Sequence, residues 1–435
     1  MIRVDVLAEQ PLHLGTRPDA GWLTDTHRFV PGSVLRGALA SVWLTRNRPP
    51  RPDVSADADF LRLFESDVRF GPLYPGADAL RPLSVFGCKY ADEGDCRAFV
   101  HDAAFDGPAE PRCPVCGSPV EASKGRVENV QVVDHTRVQL DAHGRAVGGL
   151  LYTRRALAAG SRLTGLISGD LDDGLKWLTE PDLAIRLGGR RSTSGLATIT
   201  VRAEPAPSTF TSFLPDQRRL VVRLISPGIF VDDHGRPTWL PDPAELTAAL
   251  GVDAVVDAAF ARPTVVSGWH AASNLPKPRD FAVAAGSVYV LRFGAGLPDH
   301  DGLHRLWQAG LGLRRVEGNG WIDLQRWQRP TRSAPSTAAP IDPVQALLVE
   351  IVAFGIGPTM VDDLRGWAQE NTSARPGADA RRKQLLTKER YTLLGTDARA
   401  LIGRALELPP DQAADLAGRI TDWLTTRTST RGRSR

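Results

Sequence analysis

The first residues alternate between apolar and polar, Ile2, Val4 and Val6 against Arg3 and Asp5, the period of two that marks a half-buried strand. A loop with Gly15, Pro18, Asp19, Gly21 and Asp25 follows. Phe29-Val-Pro-Gly-Ser33 then leads into a segment with apolar residues at 34, 35, 38, 39, 42 and 43. That spacing is helical, and Ser33 is the expected N-cap. Strand, loop and helix in this order open a β-α-β type unit. Prolines at 49, 50 and 52 predict an exposed loop after the helix.

A strongly β-prone run from Arg219 to Ile225 reads as the first strand of a second unit, preceded by the linker Ala203-Glu-Pro-Ala-Pro-Ser208. A longer linker, 330–343, is rich in Pro, Ala, Ser and Thr. Helical periodicity follows, with Val344, Leu347, Leu348 and Ile351 on one face, and Ala413, Leu416, Ile420, Trp423 and Leu424 on another. The expected organisation is two α+β domains, 1–203 and 210–329, then a helical segment, 343–426, and a disordered basic tail, 427–435. An inserted module, 86–121, rich in Gly, Pro and Asp, interrupts the first domain.

The two halves share a repeat. Leu187-Gly-Gly-Arg-Arg191 recurs as Leu311-Gly-Leu-Arg-Arg315, and each copy is followed by further glycine, Gly195 in one and Gly318 and Gly320 in the other. Each copy stands just before a linker and so closes its unit. Glycine lets backbone N–H groups approach an anion closely. Paired arginines grip phosphate or stack on bases. One such turn is weak grounds for binding; two in matching places point to a polyanion. Neither is a nucleotide P-loop, because no Gly-Lys-Ser/Thr follows.

Composition permits that reading without demanding it. Across 435 residues, 53 Lys and Arg stand against 50 Asp and Glu, a formal charge of +3. The pI of about 8.7 falls short of the value above about 9 usual for a domain built on a basic stripe. The chain is 42% hydrophobic and 24% charged, ordinary globular usage, which excludes wholesale disorder. No apolar run approaches the roughly 18 residues of a spanning helix, and Met1-Ile-Arg-Val-Asp-Val opens no export signal. The expected location is the cytoplasm.

All four cysteines, Cys88, Cys96, Cys113 and Cys116, fall within the insert. Cys113-Pro-Val-Cys116 is the tight turn on which two thiolates hold one ion, and the four together predict a closed structural zinc site. His101 is an alternative to Cys96 as fourth ligand. Catalytic candidates are sparse. His13, His27 and His135 have no nucleophile context, and Asp19 and Asp25 fit either turn chemistry or activation of a ribose hydroxyl.

Together these segments resemble the RAMP superfamily of CRISPR effector subunits. Phe29-Val-Pro-Gly-Ser-Val-Leu-Arg-Gly-Ala38 is similar to its helix-start signature, and Gly188–Gly195 and Gly312–Gly320 to its glycine-rich loops. Leu151–Gly160, Ser267-Gly-Trp269, Leu275-Pro-Lys277 and Ala285–Val290 are similar to its other conserved contexts. The resemblance covers about 1–327. It implies two ferredoxin-like, RRM-related domains with antiparallel sheets, of the five group and the type III-D kind. It also implies a subunit that caps the repeat-derived 5′ tag of the guide RNA and docks beside the large polymerase-like subunit and the backbone RAMP subunits, with target RNA nearby.

Carried over, Ser33, Arg36, Gly188, Gly189, Arg190, Arg191, Gly195, Gly312, Arg314, Arg315, Gly318 and Gly320 become RNA contacts, with Trp269 and Lys277 beside them. The insert fits zinc-bearing inserts of such subunits. The expectation is a non-catalytic RNA-binding protein. Its rivals are a backbone-type subunit cutting target RNA with Asp19 or Asp25, a metal-independent guide-processing endoribonuclease with His27 as general base, and a scaffold whose helical region binds proteins.

Overall fold

The computed structural model describes residues 1–16, 23–47, 57–66, 68–90, 96, 99–141, 146–169, 177–180, 183–189, 194–270 and 275–330, and C-terminally 344, 347–348, 351, 362–364, 366–367 and 396–431. The chain divides into two compact units, Met1–Ser333 and Ala334–Arg435. Both sheet-bearing halves lie in the first. It is a mixed α+β structure with antiparallel sheets.

In the first half, β1 (Ile2–Ala8) and α1 (Gly32–Asn47) lead to the short strand β2 (Arg69–Phe70). The cysteine module follows with β3 (Val85–Cys88), β4 (Val100–Asp102) and β5 (Val120–Ala122). A long hairpin, β6 (Val132–Leu140) and β7 (Ala146–Leu157), precedes β8 (Arg162–Ser168), β9 (Leu183–Arg186) and β10 (Leu196–Ala203). The first sheet has the order β9-β10-β1-β8-β2, and all its pairs are antiparallel. The alternation of β1 buries Val4, Val6 and Ala8 beneath Leu35, Leu39 and Trp43 of α1.

α1 begins two residues earlier than its apolar spacing suggests. Val34 and Leu35 N–H groups donate to the Pro31 carbonyl, so Ser33 lies exposed in the first turn and does not cap the helix. The start is fixed by packing: a Cβ built on Gly32 would lie 2.0 Å from the Phe70 carbonyl oxygen and 2.9 Å from Gly318 Cα.

The second half comprises β11 (Arg219–Leu224), α2 (Pro243–Leu250), β12 (Ala254–Phe260), β13 (Val288–Phe293), α3 (His300–Ala309) and β14 (Ile322–Asp323). Its antiparallel order is β14-β11-β13-β12. Both halves therefore place the first strand centrally, flanked by the closing strand and the third, with the second outermost. Leu246, Leu303, Leu306 and Trp307 of the helices pack on Leu220, Val222, Tyr289 and Leu291. The other face, Val221, Val288 and Val290, is covered by Ala104 and Phe105 of a short helix in the cysteine module.

The C-terminal unit is helical where described. Here α4 (Thr396–Leu406) and α5 (Pro410–Arg431) enclose a core that includes Val344, Ile351, Leu364, Leu401, Leu416 and Ile420. α5 runs through Arg431, past residue 427 where a disordered tail was expected; extending an established helix costs far less than nucleating one. Residues 432–435 and the linker after Pro330 lie outside the described residues. No described helix is long and apolar enough to cross a membrane.

Candidate nucleic-acid interface and cysteine cluster

The cysteine module is built on turns. Cys88 ends β3, and Gly117 N–H donates to the Cys113 carbonyl at 2.8 Å with Gly117 at φ +71. This brings Cys113 and Cys116 to one side of a tight turn. The four sulfurs lie within 4.8 Å of one another, and Cys88 and Cys116 Sγ are 3.6 Å apart. Four thiolates about 2.3 Å from a tetrahedral ion stand about 3.8 Å apart, so the donor set and its spacing suit a single metal ion. Hydrogen bonds from Ser118 bring the Cys116 thiol down to about 6, while Cys96, hydrogen-bonded to Cys116, is pushed up to about 12. Burial also raises Cys88. His101 is not in the cluster; its Nε2 lies 2.8 Å from the Gly107 carbonyl.

The two glycine-rich turns share three backbone hydrogen bonds at equivalent positions. Leu187 N–H donates to the Gly195 carbonyl and Leu311 N–H to the Gly320 carbonyl, both at 2.8 Å. Gly189 and Leu313 N–H donate to His13 and Ile229 carbonyls, and Gly195 and Gly320 N–H to Pro11 and Pro227 carbonyls. Gly195 at φ +87 and Gly320 at φ +67 close their turns in the left-handed region. A side chain at Gly195 would strike the Leu187 carbonyl, and one at Gly320 the Leu311 carbonyl.

Their charges differ. In the second turn, the Gly312 N–H donates to the Glu245 carboxylate at 3.0 Å, and Arg315 pairs with Glu245 at 3.3 Å. Arg314 pairs with Asp280 and Glu317, and Lys277 with Glu317 at 3.0 Å. Burial raises Glu317, but Arg314 and Lys277 outweigh it and hold the carboxyl below its ordinary range. Gly318, at φ +89, sits against Gly32 and the Phe70 carbonyl. Beside it, Arg69 donates to the last carbonyls of α3, Gln308 and Ala309, with its guanidinium 5.1 Å from the Trp321 ring. Burial and Arg315 lower Arg69 to about 10. Arg36 also turns inward, to the Phe64 carbonyl and Glu65. Trp269 is exposed on a short two-stranded pairing with Leu275–Pro276.

In the first turn, Gly188 packs on the His13 carbonyl, and Arg190 and Arg191 lie outside the described residues. Next to it stands the β6–β7 hairpin. The register pairs His135 with Arg154 and Arg137 with Tyr152, so these four share one face with a period of two. With His13 they line a shallow pocket. Sequence reasoning passed over Arg137, Tyr152 and Arg154; the alternation along 133–138 and 152–157 was the available signal.

Among the catalytic candidates, Asp19 lies outside the described residues. Asp25 accepts the Thr26 N–H at 2.8 Å and faces Arg155 at 3.7 Å, an ordinary turn arrangement. His27 is edge-on to Phe29, 5.4 Å between centroids, and burial lowers its pKa.

A family model described as CRISPR-associated protein (Cas_Cmr3) matches residues 134–318. Among solved structures, the chain is similar to one in the type III-B Cmr-beta complex bound to cognate target RNA, with 14% identity, 66% of this chain and 86% of that chain covered, and a TM-score of 0.40. It is also similar to a Cas6 of Thermus thermophilus, with 14% identity, 74% and 96% covered, and a TM-score of 0.27. Likenesses this loose assign no function. No curated protein matches the chain.

Proposed function

We propose that this chain, a RAMP-like subunit of a type III CRISPR effector complex, binds the guide RNA, caps its repeat-derived 5′ tag and docks beside the large subunit and the backbone subunits without itself cutting RNA. The observation that carries the reading is the span of the family match, 134–318, which takes in the hairpin, the first glycine turn and most of the second half. The strand order shared by both halves supports reading each as a ferredoxin-like, RRM-related domain, and RNA contact falls to the glycine turns, Gly188–Gly195 first among them. Cys88, Cys96, Cys113 and Cys116 would hold a structural zinc ion. Four thiolates close the coordination sphere, so the ion would shape the module and leave no position for a reactant.

The test is binding of assembled complex to guides with and without the native 5′ tag. Preference for the tagged guide is expected, with affinity for either guide weakening steeply as salt rises; equal affinity overturns the capping role. Target-RNA cleavage that loses one cut on Asp19→Ala or Asp25→Ala, with assembly intact, would replace this reading with the catalytic one.

A further inference from the structure

The β6–β7 hairpin separates charge between its two faces. One face holds Asp134, which accepts from Arg155 at 3.2 Å, and Thr136 and Thr153, hydrogen-bonded at 2.8 Å. Asp25 adds a second carboxylate near Arg155. The opposite face holds His135, Arg137, Tyr152 and Arg154. Neither Arg137 nor Arg154 has a carboxylate within ion-pair distance among the described residues, in contrast to Arg36, Arg155, Arg314 and Arg315.

The arrangement on this face is that of a platform. The Arg154 guanidinium lies over the Tyr152 ring, 5.2 Å from its centroid, giving a flat cationic surface of the kind on which unpaired bases stack. His13 and His135 meet edge-on at 5.4 Å between centroids. His135 Nε2 is buried with no hydrogen-bond partner among the described residues, and such a polar atom is costly unless a ligand or water meets it. His13 also joins the platform to the first glycine turn, since its carbonyl accepts the Gly189 N–H at 2.9 Å.

We infer that His135, Arg137, Tyr152 and Arg154 form a seat for an unpaired nucleotide of single-stranded RNA. The base lies on the Tyr152–Arg154 platform, its edge meets His135 Nε2, and its flanking phosphates meet Arg137 and Arg154. Duplex RNA, whose bases are stacked and paired, does not fit this chemistry. The inference deepens the RNA-binding reading above and rests on it, for it names the half of the molecule and the face that engage the strand.

The full chain is titrated with labelled single-stranded oligoadenylate RNA over a range of salt, with a duplex of the same length in parallel. Arg137→Gln with Arg154→Gln should weaken single-strand binding about tenfold or more. It should also flatten the slope of log affinity against log salt by about 1.4, the loss of two single-strand phosphate contacts. Tyr152→Ala should lose about tenfold with the slope retained, and Tyr152→Phe should bind as the intact protein does. Thermal midpoints should stay within a degree or two. Arg137→Lys with Arg154→Lys keeps the charge while removing the flat plane, so it should retain the slope and lose affinity.

Unchanged binding by the Arg137/Arg154 and Tyr152→Ala variants, or equal binding of duplex and single strand, overturns the inference. So does an equal loss in Arg292→Gln, a surface arginine paired with Asp257. If the tagged guide is still preferred in that case, the capping reading survives alone. If the hairpin variants lose affinity while the tag makes no difference, the seat stands and the capping reading falls.

Discussion

The two glycine-rich turns share a five-residue pattern and three equivalent backbone hydrogen bonds, yet the described residues around them differ in charge. The second carries its own anions: Glu245 occupies the Gly312 N–H that a phosphate would use, and Asp280 and Glu317 hold Arg314. The first opens onto a hairpin face whose arginines have no acidic partners among the described residues. A duplicated motif therefore fixes backbone geometry but not the charge around it. That charge is set by residues distant in sequence, Glu245 of α2 and Asp280 for one turn and β6–β7 for the other.

The largest effect should come from the point where the two halves meet. Gly32→Ala puts a methyl group against the Phe70 carbonyl and Gly318, neither of which can withdraw without moving a strand or a turn. We expect a loss of about 3 kcal/mol or more in denaturant unfolding. A variant as stable as the parent would mean the halves are not locked there. Next, Cys113→Ser should abolish one-to-one zinc content. In hydrogen exchange it should deprotect β3 to β5, and also β11 and β13, because Ala104 and Phe105 lie on Val221, Val288 and Val290. Retention of stoichiometric metal would remove Cys113 from the site, and Cys96→Ser distinguishes Cys96 from His101 in the same way.

Smaller effects sharpen the contrast between the turns. Arg314→Gln should cost about 1.5–3 kcal/mol, since it leaves Asp280 without its charged donor and Glu317 with Lys277 alone, while RNA affinity changes by less than about threefold. Arg137→Gln should do the reverse, with stability unmoved within about 0.5 kcal/mol. The smallest effect depends on pH. Glu317 is held below its ordinary range, so its contribution is present above the unfolded value of about 4.3 and is lost as pH falls through the folded one. The stability gap between the parent and Glu317→Gln should therefore close as acid is added. A gap constant down to pH 3 would show that Glu317 acts by shape alone.

What the sequence made legible was local and periodic. The alternation of Ile2 to Val6, the helical spacing after Pro31, the Arg219 strand and the matching turns all appear as short-range patterns with a direct physical cause. The α+β class followed from them. Ser33 misled because capping propensity was weighed without Gly32, whose position is set by a tertiary contact to Phe70 and Gly318. The arginines of the second turn looked free because two of their acids, Glu245 and Asp280, lie tens of residues away, although the third, Glu317, stands three residues from Arg314. The hairpin face was hidden for the opposite reason: its residues are ordinary one by one, and only cross-strand register assembles them.

The short helix Ala103–Asp106 has a consequence for how the molecule would fail. It shields the apolar underside of the second sheet, pinned there by Arg219 to the Ala104 carbonyl and by Arg326 to Asp106. A sheet stripped of that shield presents a contiguous band of valines to solvent, and such bands find one another. Damage to the four thiols would then register first as clumping that worsens with protein concentration, with β11 and β13 loosened rather than lost. The cysteine module is, in that sense, a guard against self-association.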